Sequence, residues 1–240
     1  KKMIIRKLRS LNKEVQMKGR RKIFYSKIFS KNDLVFDIGA NLGNRTTIFL
    51  DIGAKVIAVE PNPQLFIRLK KKYKKAIVID KAVGQFKNKV KLYINEASVL
   101  STTSKEWIET VQTSGRFGDL GNKFNNEVEV EQITIIDLID QYGVPKFVKL
   151  DTEGTELEII ESLNSSEIGC ISFEFAIPES KNDAINSIRK LENIGYKHFN
   201  ISFGESMEFL VQKNIDYNSI NKLIESLPEM SWGDIYAFNS

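Results

Sequence analysis

An acidic residue and a glycine-rich turn stand together in the stretch from Val35 to Glu60. Asp37 precedes Gly39 by two residues, Gly43 follows four residues later, and Glu60 closes the next apolar run. Glycine lets the backbone approach a ligand closely, because it has no side chain. An acid about 20 residues beyond such a turn can accept hydrogen bonds from ribose hydroxyls. The spacing therefore predicts a binding site for a nucleoside.

The residues inside the turn distinguish two classes of nucleoside cofactor. Dinucleotide-binding folds use Gly-x-Gly-x-x-Gly to seat a pyrophosphate at a helix N-terminus, whereas Ala40, Asn41 and Leu42 separate the two glycines here. A carboxylate just before the turn would repel a pyrophosphate, since like charges repel. The same carboxylate, that of Asp37, suits the cationic amino acid end of S-adenosylmethionine, which has no phosphate. The spacing therefore favours S-adenosylmethionine over a nicotinamide or flavin cofactor.

A third acid follows the next predicted strand. Asp80 comes directly after the apolar run 76–79, and we expect it, with Ala82 nearby, to lie where the adenine amine would be recognised. The carboxyl ends of parallel strands meet at one edge of a sheet, where ligands bind. Asp37, Glu60 and Asp80 belong to three successive strands and are therefore expected around one ligand.

A second group of charged residues follows the fourth core strand. Lys149 and Asp151 are expected on one face of that strand, because alternate side chains point the same way. Glu153 lies just beyond, and Glu174 should be a neighbour from the fifth strand. Methyl transfer to a hydroxyl needs a general base or a metal ion to remove the proton, and the single histidine, His198, is expected on a late strand as a structural or surface residue. We therefore expect Asp151, Glu153, Lys149 and Glu174 to activate the acceptor.

Two interpretations of this group stay open at the level of sequence. Asp151 and Glu174 could hold Mg²⁺, which prefers oxygen ligands. Alternatively, Asp151 only positions the cofactor and Lys149 neutralises it in a buried pair. Glu156 and Glu158 are expected on a solvated helix face.

The elements that must position these residues alternate along the chain. Strands are predicted at 34–38, 55–59, 76–79, 90–94, 128–133, 145–150, 169–175, 198–203, 208–211 and 235–238. Helices are predicted at 65–73, 105–111, 135–142, 155–163, 183–195 and 219–227. Such alternation is typical of an α/β fold with a mostly parallel sheet and helices on both faces.

Three motifs together resemble the FkbM family of S-adenosylmethionine-dependent methyltransferases. They read DIGANLG, GAKVIAVEPNP and FVKLDTEGTELEIIESL, and the resemblance runs from about residue 34 to 175. It implies the class I methyltransferase fold, a three-layer, doubly wound Rossmann-like sheet of seven strands with the last strand antiparallel. It also implies methylation, usually of a hydroxyl on a sugar or natural product. The cofactor-binding residues expected on this basis are Asp37, Gly39, Ala40, Asn41, Gly43, Thr46, Glu60, Pro61, Asp80, Ala82 and Asp151.

The sequence departs from the family pattern at Arg45. A small or aromatic residue is more usual at this position, before the threonine, so Arg45 is expected to alter the edge of the cofactor pocket.

The N-terminal segment is strongly basic. Residues 1–31 contain twelve Lys and Arg residues and one acid, Glu14, which gives a net charge of +11 and leaves −7 for the rest of the chain. Helical spacing of apolar residues predicts helices at 3–17 and 21–29. We predict a basic helical extension, 1–31, before a single methyltransferase domain, 32–240. The extension either packs on the sheet edge with its charges in water or contacts an anionic membrane surface, glycan or nucleic acid.

Residues 96–126 form the least regular stretch and are predicted to be a lid or acceptor-binding insertion. Trp107 and neighbouring hydroxyl side chains suit the face of a sugar, although Trp107 could equally be the local core anchor of a surface loop. Trp232, near the last strand, is expected in the core.

The composition excludes several alternatives. Cys170 is the only cysteine, so no internal disulfide forms, and it is expected as a small buried residue rather than a nucleophile. The loop from Asp151 to Gly154 is acidic and lacks proline, which suits a polyhydroxylated or cationic acceptor and makes a nucleic-acid partner unlikely. No apolar run approaches the ~20 residues that span a bilayer, and we expect a cytoplasmic enzyme or one peripheral to the inner membrane surface.

We therefore predict an O-methyltransferase that acts on a saccharide or glycan-like acceptor. The alternatives are an RNA methyltransferase that grips phosphates with the basic arm, a nicotinamide-dependent oxidoreductase and a non-catalytic binding module. The oligomeric state is left open.

Overall fold

The computed structural model describes residues 2–95, 100–119 and 123–239, with the backbone alone for 2–13. Its strands are β1 (Leu34–Ile38), β2 (Lys55–Val59), β3 (Ile77–Ile79), β4 (Ala82–Val83), β5 (Asn88–Asn95), β6 (Phe124–Ile133), β7 (Phe147–Leu150), β8 (Cys170–Ala176), β9 (His198–Phe203) and β10 (Trp232–Phe238). Its helices are α1 (Lys2–Tyr25), α2 (Asn44–Ile52), α3 (Pro63–Lys72), α4 (Lys105–Ser114), α5 (Ile135–Tyr142), α6 (Glu156–Glu161), α7 (Lys181–Asn193) and α8 (Tyr217–Ser226).

Seven strands form the main sheet in the order β3-β2-β1-β7-β8-β10-β9. The pairs from β3 to β8 are parallel, and β10 runs antiparallel to both β8 and β9. The predicted class I methyltransferase fold, with an antiparallel last strand, is confirmed. A small second sheet, β4-β6-β5, lies beside it, and its strand β4 was missed because two residues carry no periodic signal.

Apolar side chains alternate between the two faces of the central strands, so each face buries its own core. Val35 and Val56 pack with α2, α3 and the end of α1 in one cluster. Phe36 and Ile57 pack with α5 to α8 in the other. This alternation produces the predicted three layers.

The N-terminal segment differs from the prediction. A single helix, α1, replaces the two helices predicted at 3–17 and 21–29. Gly19, which costs a helix roughly 1 kcal/mol, does not interrupt it. Phe24 and Tyr25 at its end are buried against the sheet, and this burial fixes the last turns of the helix. The end of the predicted extension is therefore part of the core.

Two further predictions are corrected in the C-terminal half. Residues 208–211 do not form a strand, and Leu210 N donates one hydrogen bond to Ile201 O. Trp232 is 43% exposed rather than in the core. It begins β10 at the edge of a cavity, where the strand leaves the sheet interior.

Candidate active site

The site forms where the strand order reverses, between β1 and β7. Gly39 follows β1 with a φ of +82°, and a Cβ added there would lie 1.9 Å from the backbone oxygen of Asp151. Asp151 N in turn donates to Ile38 O over 3.0 Å. Only glycine permits this approach. Ligands of open α/β sheets bind at this kind of crevice.

The turn after β1 is tied to the end of β2 through the Glu60 carboxylate. Asn41 N donates to Glu60 Oε2 over 2.7 Å, and Asn62 N donates to Oε1 over 2.9 Å. Asn41 adopts a left-handed φ of +49° to make this contact. Burial raises the pKa of Glu60 to about 7, although both backbone hydrogen bonds oppose the rise. Each carboxylate oxygen keeps a second lone pair, so the pair can accept from two ribose hydroxyls.

Asp37 supplies a buried negative charge on the other side of the turn. Thr46 Oγ1 donates a hydrogen bond to Asp37 Oδ2. Burial raises the pKa of Asp37 to about 6, while the Thr46 hydrogen bond and the Lys149 ammonium work against the rise. A cationic ligand group would offset the desolvation of this carboxylate, so the residue fits the amino end of S-adenosylmethionine.

These residues surround a cavity of about 240 Å³ that we call the cofactor cavity. The predicted cofactor residues that line it are Asp37, Gly39, Ala40, Asn41, Glu60, Pro61, Ala82 and Asp151. Gly43 and Thr46 do not line the cavity. Gly43 is the N-cap of α2 in a left-handed conformation, and the Thr46 hydroxyl donates a hydrogen bond to Asp37. Asp80 is exposed and does not line the cavity, whereas its neighbour Lys81 does.

Several residues that line the cavity were not among the predicted cofactor-binding residues. Leu92 comes from the second sheet, and Ser101, Thr102 and Thr103 come from the predicted insertion 96–126. They reach the cavity because Thr102 forms an isolated bridge with Tyr93 and its hydroxyl donates to Glu153 O over 2.6 Å. Residues 96–99 and 120–122 of the predicted lid lie outside the described residues.

Lys149 is held between two carboxylates. Its Nζ lies 3.2 Å from Asp151 Oδ2 and 3.1 Å from Asp234 Oδ1. Burial acts to lower the pKa of Lys149, but the two carboxylates outweigh it and raise the pKa well above its usual value. The two carboxylates therefore favour the protonated form of Lys149. Asp234 was missed, because only the register of β10 against β8 brings it here.

The loop after β7 carries strained backbone directly at the site. Glu153 has a φ of +58°, and Gly154 has a φ of +101°. A non-glycine residue in this region costs of order 1–3 kcal/mol and persists only where the surroundings impose it. Here the Glu156 carboxylate imposes it, by accepting from Thr152 N at 2.6 Å and Gly154 N at 3.0 Å. The prediction that Glu156 lies on a solvated face is wrong, whereas Glu158 is exposed as expected.

Three carboxylates converge beside this loop. One carboxylate oxygen each of Asp151, Glu153 and Glu174 lies within 4.8 Å of the others. Burial and mutual repulsion raise the pKa of Glu153 and of Glu174 well above the usual range. Carboxyls shifted in this way can act as general bases near neutral pH. Their oxygens are also the ligands that a hard cation such as Mg²⁺ takes.

A second cavity, of about 490 Å³, adjoins the first, and we call it the acceptor cavity. Trp107, Phe117 and Trp232 supply aromatic walls, and Glu153 and Glu174 supply carboxylates. Trp107 packs over Gly154, where an added Cβ would lie 2.6 Å from the Trp107 Cβ. Glu153 and Glu205 line both cavities.

Arg116 fastens the segment after α4 to the main sheet. Its Nε and Nη2 donate to the two oxygens of Glu179 over 2.7 and 2.9 Å. Nη2 also donates to Ile177 O over 2.7 Å. Both partners of the ion pair are almost fully buried. The wall that carries Trp107 and Phe117 is therefore anchored at one end.

Arg45 shapes the other rim of the cofactor cavity, as expected from its departure from the family pattern. Its Nη2 donates to Glu205 Oε1 over 2.7 Å, and Arg21 Nη2 donates to the second oxygen over 2.9 Å. Burial acts to raise the pKa of Glu205, but these two guanidiniums hold it below the usual value.

The remaining chemistry-bearing residues lie away from the site. His198 is exposed on β9, and Cys170 is a buried free thiol whose pKa burial raises well above its usual value. Across the described residues, no helix combines the length and apolar character that crossing a membrane requires.

Most of the chain matches a known protein family. Residues 37–212 match the family described as the methyltransferase FkbM domain. No curated protein matches the chain significantly.

Several solved structures are similar to this chain at low sequence identity. Precorrin-6y C5,15-methyltransferase from Geobacter metallireducens GS-15 is 14% identical, with 92% of this chain and 87% of that chain covered and a TM-score of 0.48. Magnesium protoporphyrin IX methyltransferase from Synechocystis PCC 6803, solved with bound S-adenosylmethionine, is 10% identical, with 96% and 81% covered and a TM-score of 0.47. A putative RNA methyltransferase from Pyrococcus horikoshii is 12% identical, with 92% and 81% covered and a TM-score of 0.44.

Proposed function

The chain belongs to the FkbM methyltransferase family and is an S-adenosylmethionine-dependent methyltransferase, and we propose that it methylates a hydroxyl group of a saccharide or a similarly polyhydroxylated acceptor. The observation that carries the proposal is the meeting of the two cavities at Glu153. One cavity holds the carboxylates that fit the cofactor, and the other holds aromatic rings and further carboxylates. Glu153 thus stands where a methyl donor and an acceptor would meet.

The lining of the acceptor cavity supports a polyhydroxylated acceptor. Trp107 and Trp232 offer aromatic surface to the apolar face of a sugar ring, and carboxylate oxygens of Glu153 and Glu174 accept hydrogen bonds from hydroxyls. The same carboxylates would repel the phosphates of a nucleic acid. We therefore favour a saccharide over RNA as the acceptor.

The proposed roles follow from position and charge. The cofactor supplies an electrophilic methyl group on a positively charged sulfur. Glu153 takes the proton of the acceptor hydroxyl as its oxygen forms the new bond to carbon, while the carbon–sulfur bond breaks. Glu174 shares the negative charge with Glu153, and Lys149 holds Asp151 at the cavity wall. The backbone of the loop 151–155 fixes the positions of these carboxylates. A fixed position lowers the barrier of the displacement, because the base, the acceptor oxygen and the methyl group are then already aligned.

The test is transfer of a tritiated methyl group from S-adenosylmethionine to a panel of polysaccharides, nucleotide sugars and RNA. We expect transfer to a saccharide and a loss of kcat of about 100-fold or more in the Glu153→Gln variant. Glu158→Gln is the matched control, since Glu158 carries the same group on the exposed side of α6. Transfer to RNA alone, or full activity of Glu153→Gln, would contradict the proposal.

The role of a cation is decided in the same assay. With Glu153 as the general base, transfer persists in EDTA. A loss in EDTA that Mg²⁺ restores would instead make Asp151, Glu153 and Glu174 ligands of the ion.

A further inference from the structure

We propose that the outer surface of the helix layer formed by α1, α2 and α3 binds an anionic lipid bilayer. The three helices pack on the same face of the main sheet. Their residues carry net charges of +8, 0 and +4, whereas the four helices of the opposite layer together carry −4. The positive charge of the helices is therefore concentrated in one of the two layers.

Helix α1 turns apolar side chains away from the core. Phe24 and Tyr25 are buried on the side that faces the sheet, while Val15 is 69% exposed and Ile23 is 67% exposed. At 100° per residue, Val15 and Ile23 lie roughly on the side opposite Phe24 and Tyr25. Helices in soluble proteins bury their apolar stripe, so an exposed one indicates a partner.

Helix α1 is also strongly basic. Nine Lys and Arg residues share this helix with one acid. A helix with an apolar stripe among basic residues is typical of segments that lie in the plane of a membrane surface.

Helix α3 repeats the arrangement on the same layer. Leu65 and Leu69 are buried, whereas Ile67 is 64% exposed. Lys70 and Lys71 are exposed beside it. An ion pair of 2.7 Å between Lys18 of α1 and Asp51 of α2 ties α1 to the rest of the layer. Both helices therefore present apolar and basic side chains outward together.

The combination of side chains favours lipid over the other occupants. A second copy of this surface would bring Lys18, Lys22 and their counterparts together, and the like charges would repel. Nucleic acid would satisfy the lysines but not the exposed Val15, Ile23 and Ile67. An anionic bilayer satisfies both, because its headgroups attract the basic residues and its interface takes the apolar ones.

The test is sedimentation of the full chain with vesicles. We expect binding to phosphatidylcholine vesicles that contain phosphatidylglycerol, little binding to phosphatidylcholine alone, and weaker binding at high salt. The Val15→Glu, Ile23→Glu double variant should bind at least about tenfold more weakly, because burial of one such side chain accounts for roughly that factor. Phe86→Glu, Val144→Glu is the matched control, since both residues are exposed and lie outside the three helices.

A second pair of variants tests the charge. Lys70→Gln, Lys71→Gln should weaken vesicle binding by about fivefold for each charge removed, and Lys213→Gln should leave it unchanged. Thermal unfolding and S-adenosylmethionine binding, measured on every variant, show that the fold persists. The proposal is overturned if the protein ignores anionic vesicles, if Val15→Glu, Ile23→Glu binds like the wild type, or if RNA is bound and vesicles are not.

Discussion

Glu60 is the residue whose protonation governs the cofactor cavity. Its folded pKa of about 7 lies above the ordinary value of 4.5, because burial disfavours its charge. At a pH between these two values, Glu60 is therefore mostly protonated in the folded protein and mostly ionised in the unfolded chain. The stability that this group contributes is present below pH 4.5 and is lost as the pH rises through about 7.

Cofactor binding should show the opposite dependence. Two ribose hydroxyls need an ionised Glu60 as acceptor, and the cationic amino end needs an ionised Asp37, whose pKa is about 6. We predict that affinity for S-adenosylmethionine rises by up to about tenfold per pH unit between the two pKa values, more steeply below both because two protons must then be released, and levels off above about pH 8. Titration calorimetry from acidic to neutral pH measures this. A Glu60→Gln variant should lose most of the affinity and the upper part of the pH dependence, and unchanged binding by that variant would refute the assignment.

Lys149 contributes to stability rather than to proton transfer. It is buried between Asp151 and Asp234, and removal of one partner of a buried ion pair leaves charge without compensation. We predict that Lys149→Met lowers the free energy of unfolding by about 3 kcal/mol in urea denaturation. Lys89→Met, which removes a strand lysine from its exposed pair with Glu129, is the control and should leave stability unchanged. A stable Lys149→Met protein would show that the pair does not hold the site together.

Sequence spacing predicted the residues that act through local geometry. Gly39 and Glu60 were identified because a tight turn and the strand after it are close in the chain. Asp234 and Glu156 were not, because their roles depend on strand register and on a loop that folds back over its own helix. Asp80 was predicted to line the cofactor site but is exposed and lies outside it. Its position directly after a strand did not determine the direction of its side chain.

At the scale of elements, the contact between α4 and the loop after β7 shapes the acceptor cavity. Gly154 lies under Trp107, and a Cβ at this position would meet the indole at 2.5 Å. We predict that Gly154→Ala displaces α4 and raises the KM for the acceptor, while S-adenosylmethionine still binds. Steady-state kinetics with each substrate varied in turn separates the two effects.

Gly115→Ala is the matched control for this prediction. Gly115 also has a positive φ, +67°, but an added Cβ would meet nothing within 4 Å. It carries the strain of a left-handed residue, about 1 kcal/mol, without the clash. Equal kinetic effects of the two variants would mean that strain, and not the position of α4, is responsible.

Element types were predictable where periodicity was long, and boundaries were not. The core strands β1, β2, β7 and β8 are rich in apolar residues, each with at most two polar residues among them, and were found. The run 208–211 resembles a strand in composition, but it makes only one backbone–backbone hydrogen bond to β9, and Val211 bonds the Asn200 side chain instead of a strand backbone. Helix α1 continues through Gly19 because packing of Phe24 and Tyr25 outweighs the local cost.

At the scale of the whole molecule, the fold separates three surfaces. The reversal of strand order opens the cofactor cavity, and the second sheet contributes to its wall. Helix α4 and the segment after it form part of the wall of the acceptor cavity. The basic layer of α1 and α3 lies on one face of the sheet. Alternation of strands and helices predicted the layers. Trp107 of the acceptor cavity lies in the insertion predicted to bind the acceptor, but the cavity as a whole was not predicted, because Trp232 joins it from a distant part of the chain.

The measurement that tests the central claim most directly is the nature of the methylated atom. S-adenosylmethionine labelled with ¹³C in its methyl group is supplied with the saccharide acceptor, and the product is examined by ¹H–¹³C correlation spectroscopy. We predict a new methyl signal with the carbon shift of a methyl ether, which grows at similar initial rates with the wild type and Glu158→Gln and about 100-fold or more slowly with Glu153→Gln. A methyl signal on nitrogen or ring carbon, or an ether signal that grows at the wild-type rate with Glu153→Gln, would contradict hydroxyl methylation with Glu153 as its base.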